Sequence, residues 1–221
     1  MNDKLSELTA VSEPRSPISE AYRTLRTNLD FASLDQALKT LVVTSAGVSE
    51  GKSTMLANLA VVSAQAGRRV ILADADLRRP TLHEVFGLGN EVGLTTLMMD
   101  ETALASPPLQ DTGIEGLSVL TSGPLPPNPA ELMGSRRMEE VIAVLVDQAD
   151  QVFFDTPPVV AVTDAAVLAT KVDGVLLVIR AGKTRREIAR TAVQRLEQIN
   201  ARLVGTVLTN VQLGAGFEGY Y

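Results

Sequence analysis

The chain has 221 residues, of which 45% are hydrophobic and 21% charged, with a formal net charge of −6; that balance fits one compact α/β domain and excludes a disordered or fibrous chain. No cysteine and a single histidine, His83, exclude a disulfide framework, a thiolate metal centre and thiol catalysis, and the acidic balance argues against a nucleic-acid partner. No apolar run approaches the roughly 18 residues of a membrane span, and the start carries no signal-peptide core, so a cytoplasmic chain is expected.

Residues 1–17 are polar and contain Ser12-Glu13-Pro14-Arg15-Ser16-Pro17, which predicts an extended or flexible lead-in. A helix is expected from Ser19, its N-cap, with Tyr22, Leu25 and Leu29 on one face. Glu20, Arg23 and Arg26 recur every third residue along a second flank. Spacing alone leaves two readings open for them: an exposed face with local ion pairs, or a contact with the same set on a neighbouring subunit.

Next comes the apolar run Leu41-Val42-Val43, followed by Ser45-Ala46-Gly47-Val48-Ser49-Glu50-Gly51-Lys52-Ser53-Thr54 and a helix-forming stretch. Strand, glycine-containing loop and helix in that order make a phosphate cradle. Residues Gly47, Val48, Ser49, Glu50, Gly51, Lys52, Ser53 and Thr54 are the candidate nucleotide-binding set. Backbone amides there face phosphate oxygens, Lys52 adds a point charge, and the Ser53 hydroxyl is suited to Mg²⁺. Ala46 stands where the loop pattern has a glycine.

The loop helix is expected to run from Lys52 to about Gln65 and to stop at Gly67. Arg69 to Ala73 reads as a strand leading into Asp74-Ala75-Asp76-Leu77-Arg78-Arg79-Pro80. Two carboxylates at a strand's C-terminal end lie where open parallel sheets bind ligands, and Asp74 and Asp76 share a face if strand geometry persists that far. Residues 81–116 carry no readable role. Leu117 to Leu120 is a strand, 123–129 a proline-stiffened loop, and a helix is expected from Glu131 to about Asp147. Gln151 to Asp155 is a buried strand ending in a carboxylate before Thr156-Pro157-Pro158, the pattern of a metal-holding aspartate opposite a phosphate loop. A helix capped at Thr163, a fully buried strand over 174–179, a helix over 185–199 and a strand over 203–208 follow. Asn210 reads either as a purine-edge contact or as a turn residue. The end, residues 212–221, is glycine-rich and expected to be flexible, and it carries Tyr220 and Tyr221, two of the chain's three tyrosines.

Three stretches together, the Ser45 to Thr54 loop, Leu72 to Pro80 and Phe154-Asp155-Thr156-Pro157-Pro158, resemble the bacterial tyrosine kinases of capsular and exopolysaccharide biosynthesis, in their short cytoplasmic form. The resemblance runs from Ser19-Glu20-Ala21-Tyr22-Arg23-Thr24-Leu25-Arg26 to the terminal tyrosines. It implies a single-domain P-loop NTPase-like α/β fold over residues 18–211, with a mostly parallel central sheet and helices on both faces. It also implies an ATP- and Mg²⁺-dependent protein tyrosine kinase that autophosphorylates in trans and regulates polysaccharide synthesis or export. Catalytic roles fall to Lys52, Asp74, Asp76 and Asp155, metal-holding roles to Ser53, Asp74 and Asp155, and phosphoacceptor roles to Tyr220 and Tyr221. Glu20, Arg23 and Arg26 match the residues that join subunits into a ring. The short form pairs with a separate transmembrane adaptor, or co-polymerase, that holds it at the inner face of the plasma membrane. The alternatives are a partition- or division-site-type ATPase switch, which carries an extra lysine where this chain has Gly47, and a nucleotide-binding adaptor without catalysis. Val48 and Ser49 stand where the family often has Pro-Gly.

Overall fold

A computed structural model describes residues 3–34 and 36–211. Its frame is a seven-stranded sheet. The strands are β1 (Thr40–Ser45), β2 (Val70–Asp74), β3 (Gln110–Asp111), β4 (Leu117–Leu120), β5 (Gln151–Asp155), β6 (Gly174–Arg180) and β7 (Leu203–Thr209), in the order β3-β4-β2-β5-β1-β6-β7. Every pairing is parallel except the short antiparallel edge of β3 on β4. β1, β2 and β5 are buried along their whole length, as their continuous apolar runs require of strands covered on both faces.

The helices are α1 (Thr9–Ser12), α2 (Pro17–Ala32), α3 (Lys52–Gln65), α4 (Leu82–Phe86), α5 (Leu94–Met99), α6 (Pro129–Gly134), α7 (Arg136–Gln148), α8 (Asp164–Ala169) and α9 (Arg186–Gln198). Two apolar cores flank the sheet. One gathers α1, α3 and α4, with Leu29 of α2, against Leu41, Val43, Leu72 and Phe153; the other gathers α5 to α9 against Val42, Ile71, Val152, Phe154 and Leu177. Alternate strand residues therefore serve opposite cores. α3 is buried at every position from Met55 to Ala64, which is why its apolar residues ring the helix instead of forming a stripe.

Several local expectations need correction. The lead-in is not extended: residues 3–7 form a 3₁₀ turn and 9–12 a helical turn, and Leu5 and Leu8 are buried. Each such leucine contributes roughly 1.5–3 kcal/mol by leaving water, and Asn58 of α3 accepts the Ala10 N–H at 2.8 Å. The cap of α2 is Ser16, whose hydroxyl accepts the Ser19 N–H at 3.2 Å, with Pro17 in the first turn. Ser19 itself is buried and donates its hydroxyl to Thr9 and Glu13 carbonyls. The helix expected from Glu131 to Asp147 is two helices. Ser135 is extended (φ −69°, ψ 157°) and its hydroxyl caps α7 through the Met138 N–H, the competition with the helix ladder that Gly-Ser favours. Thr163 makes no side-chain cap on α8, and burial of β6 stops at Val178. Residues 212–221, with Tyr220 and Tyr221, lie outside the described residues.

Candidate functional site

Register brings the chemistry together. Asp74 and Asp155 are paired positions at the C-terminal ends of β2 and β5, and Val43 of β1 pairs with Asp155 on its other side. The loop of residues 46–51 then leaves the end of β1 and feeds α3, so loop and carboxylates share the sheet edge where parallel α/β folds bind ligands.

The loop is built from two left-handed residues, Ser49 (φ 56°) and Gly51 (φ 79°), the second forming the cap of α3. Backbone N–H groups turned inward this way form an anion nest. Ala46 is buried, gives its N–H to Val178 O at 3.1 Å, and has no positive φ, so the missing glycine is not needed there. Ser49 takes the conformation glycine would take at lower cost.

Lys52 is 8% exposed and its ammonium pairs with Asp155 Oδ1, while it also donates to Ser53 Oγ at 3.2 Å. Ser53 Oγ donates to Asp155 Oδ2 at 2.5 Å. Asp155, fully buried, thus has both oxygens engaged by the residues the motif offers to a metal and a phosphate. Asp74 is fully buried behind them. Its Oδ2 accepts from Thr81 N and Leu82 N at 3.0 and 2.9 Å, and its Oδ1 from Asp76 N at 3.2 Å. Burial first, and the Asp155 charge second, push the Asp74 carboxyl up to about 8, against the Leu82 amide, Lys52 and the Thr81 amide. The expected shared face of Asp74 and Asp76 is not realised, because β2 ends at Asp74. Asp76 sits in the following turn, where its Oδ1 accepts from Arg78 N at 3.4 Å and Arg79 N at 3.1 Å. Burial raises the Asp76 carboxyl too, offset chiefly by Lys52.

A cavity of about 310 Å³ is lined by Ser45, residues 48–54, Asp76, Arg79, Thr81, Val85 and Pro158. It joins the loop to Asp76 and leaves Asp74 outside its lining. No three His, Cys, Asp or Glu residues cluster as a metal site among the described residues. Mg²⁺ fits this donor set all the same, because it is held by one or two protein oxygens with nucleotide phosphates and water, and Ser53 Oγ with Asp155 supplies them. A second cavity of about 300 Å³ lies beside the loop, lined by Tyr22, Glu50, Gly51, Thr54, Met55, Arg180, Thr209 and Asn210. Asn210 (φ 57°) is both the turn residue after β7 and part of that wall.

Sequence reading missed the residues that brace the loop. Arg180 donates to Ser49 O at 3.2 Å, Lys183 to Val48 O at 3.4 Å, Thr209 Oγ1 to Glu50 O at 2.6 Å, and the Thr184 hydroxyl to the buried Glu50 carboxylate. A Cβ on Gly47 would come within 2.9 Å of Glu50 Oε1, which ties the loop's first glycine to that carboxylate. Local motif spacing gives no sign of partners 131 to 159 positions apart. Glu20, Arg23 and Arg26 do fall along α2, but within the chain Glu20 pairs with Arg23 at 3.0 Å and Arg26 donates to Val62 O at 3.3 Å.

Residues 41–214 match the CobQ/CobB/MinD/ParA nucleotide binding domain. Tyrosine-protein kinase YwqD of Bacillus subtilis (strain 168) is 47% identical over 213 residues, covering 96% of this chain and 90% of that protein. Among solved structures, the chimerical protein CapA2B2 superposes with a TM-score of 0.87 at 39% identity, covering 92% of this chain and 89% of that one. The kinase domain of the Escherichia coli tyrosine kinase ETK gives 0.87 at 36% identity, with 95% and 82% covered.

Proposed function

Because the chain belongs to the bacterial tyrosine-protein kinases within the CobQ/CobB/MinD/ParA nucleotide-binding family, we propose that it transfers the γ-phosphoryl group of ATP to Tyr220 and Tyr221 of a neighbouring copy. The observation that carries this reading is that Lys52 and Ser53, both bonded to the buried Asp155, line one cavity together with a second carboxylate, Asp76. In the transfer, the phenol oxygen bonds to the γ-phosphorus as the bond to the ADP oxygen breaks, and the phenol proton passes to Asp76. Its raised carboxyl suits that role. The loop amides and Lys52 hold the developing charge on the phosphoryl oxygens. Ser53 and Asp155 hold Mg²⁺, which when bound neutralises phosphate charge. Asp74 orders the backbone of Asp76, Thr81 and Leu82 and interacts with this centre through the charges of Asp155 and Lys52, so its proposed role is positioning.

The proposed setting is capsule or exopolysaccharide synthesis or export. A transmembrane adaptor would hold the kinase at the inner membrane face; no described helix is long and apolar enough to cross a membrane. A partition-type switch fits less well, since those proteins carry an extra lysine early in the loop where this chain has Gly47.

With Mg-ATP and the cytoplasmic segment of its adaptor, the purified chain is expected to acquire phosphate on Tyr220 and Tyr221, located by mass spectrometry, and the double Tyr220→Phe/Tyr221→Phe variant to acquire none. Phosphate confined to serine or threonine would sink the reading. Assembly is proposed to use Glu20, Arg23 and Arg26, which would exchange their present intrachain partners for a neighbour's. The triple alanine variant is expected to be monomeric by light scattering where the parent is a ring; an unchanged mass rejects this interface.

A further inference from the structure

The two adjacent arginines after Asp76 behave differently. Arg78 closes a two-pronged pair on the buried Asp164 at the start of α8, at 2.8 and 3.1 Å, and so fastens the loop. Arg79 has its N–H fixed by Asp76, but its exposed guanidinium has no hydrogen-bond or ion-pair partner among the described residues, and it lines the phosphate cavity. Beside it, Thr81 lines the same cavity, its hydroxyl buried and unpartnered among the described residues, and Val85 completes the wall. Besides the phosphate loop, the cavity lining thus holds a carboxylate, a cation without a partner among the described residues and an apolar side chain.

We propose that the wall formed by Asp76, Arg79, Thr81 and Val85 is the acceptor subsite, and that Arg79 selects tyrosines with an acidic residue just before them. The inference rests on the tyrosine-kinase reading above. Asp76 meets the phenol oxygen, Val85 packs the ring, and Arg79 at the mouth reaches the acid. The chain's own tail has that composition: Glu218 is the single acidic residue of positions 212–221 and stands two residues before Tyr220. A charge-assisted pair on an exposed guanidinium is worth up to about fivefold in selection, or ~1 kcal/mol.

The test uses the Tyr220→Phe/Tyr221→Phe chain with its adaptor segment and Mg-ATP, and peptides of residues 216–221 carrying Glu, Gln or Lys at position 218. The Glu peptide is expected to exceed the Gln peptide by about fivefold in kcat/KM. Arg79→Ala should bring that ratio near one with the KM for ATP unchanged, and Arg79→Glu should turn the preference to the Lys peptide. Equal use of the three peptides overturns the inference and leaves the kinase reading standing. So does an Arg79→Ala variant that keeps the parent's preference, or one that loses all peptides equally with a raised KM for ATP, which places Arg79 on the nucleotide. Absence of tyrosine label on every peptide and on the parent's own tail overturns both.

Discussion

Lys52→Met is expected to lower tyrosine labelling by at least about a thousandfold, since it removes the charge that meets the transferring phosphoryl group. The same change should also be felt in the empty protein. Lys52 is the cation paired with Asp155, which is fully buried, and removing one partner of such a pair leaves a stranded charge costing about 3–5 kcal/mol. Loss of label alone is therefore ambiguous between chemistry and folding. Adding Asp155→Asn to Lys52→Met separates them: the neutral pair should recover most of the thermal stability in calorimetry and none of the label. Label that persists in Lys52→Met, normalised to folded protein, would place the phosphoryl transfer elsewhere.

The second large effect concerns pH. In protein free of metal and nucleotide, the Asp74 carboxyl is raised to about 8 by burial and by Asp155. A carboxyl whose folded value lies above its unfolded value binds more protons in the folded state between the two. Stability is therefore full below the ordinary carboxylate range near 4 and falls as pH climbs through about 8. Asp76 acts in the same direction. Asp74→Asn should flatten most of this slope in denaturant titrations at pH 5 to 8.5, while wild type with Mg-ATP should titrate more weakly because cation binding favours the charged carboxylates. An unchanged slope in Asp74→Asn would assign the dependence to another group.

The parts of the site legible in the sequence were those set by short-range rules. A β-branched run, a loop with glycines at 47 and 51, and a lysine opening a helix place each other within a dozen residues, and β1, the loop and α3 follow that order. Strand ends at Asp74 and Asp155 were legible for the same reason, although their adjacency comes from sheet order. What failed was decided by contacts distant in sequence or by competition at element ends. Residues 1–17 read as polar, yet the described part of them packs through the buried Leu5, Leu8 and Ala10 once α3 and α4 offer a surface. Ser19 read as the cap of α2, but its hydroxyl serves the Thr9 and Glu13 carbonyls and Ser16, three residues earlier, caps the helix. Alternation at Asp74 and Asp76 failed because the chain leaves the strand, with Asp74 drawing in the amides of 76, 81 and 82. The braces from Arg180, Lys183, Thr184 and Thr209 exist only in the folded sheet.

Tyr22 stands on α2 between Glu20 and Arg23, and its ring borders the cavity beside Gly51 and Thr54. One helix thus touches the nucleotide region and carries the proposed subunit contacts. Free-energy linkage then runs both ways: if ring formation changes nucleotide affinity by some factor, nucleotide must change ring stability by the same factor. Given the proposed ring and such a coupling, a cell that depletes ATP would alter how the subunits are gathered as well as how fast they work, with no separate sensor required.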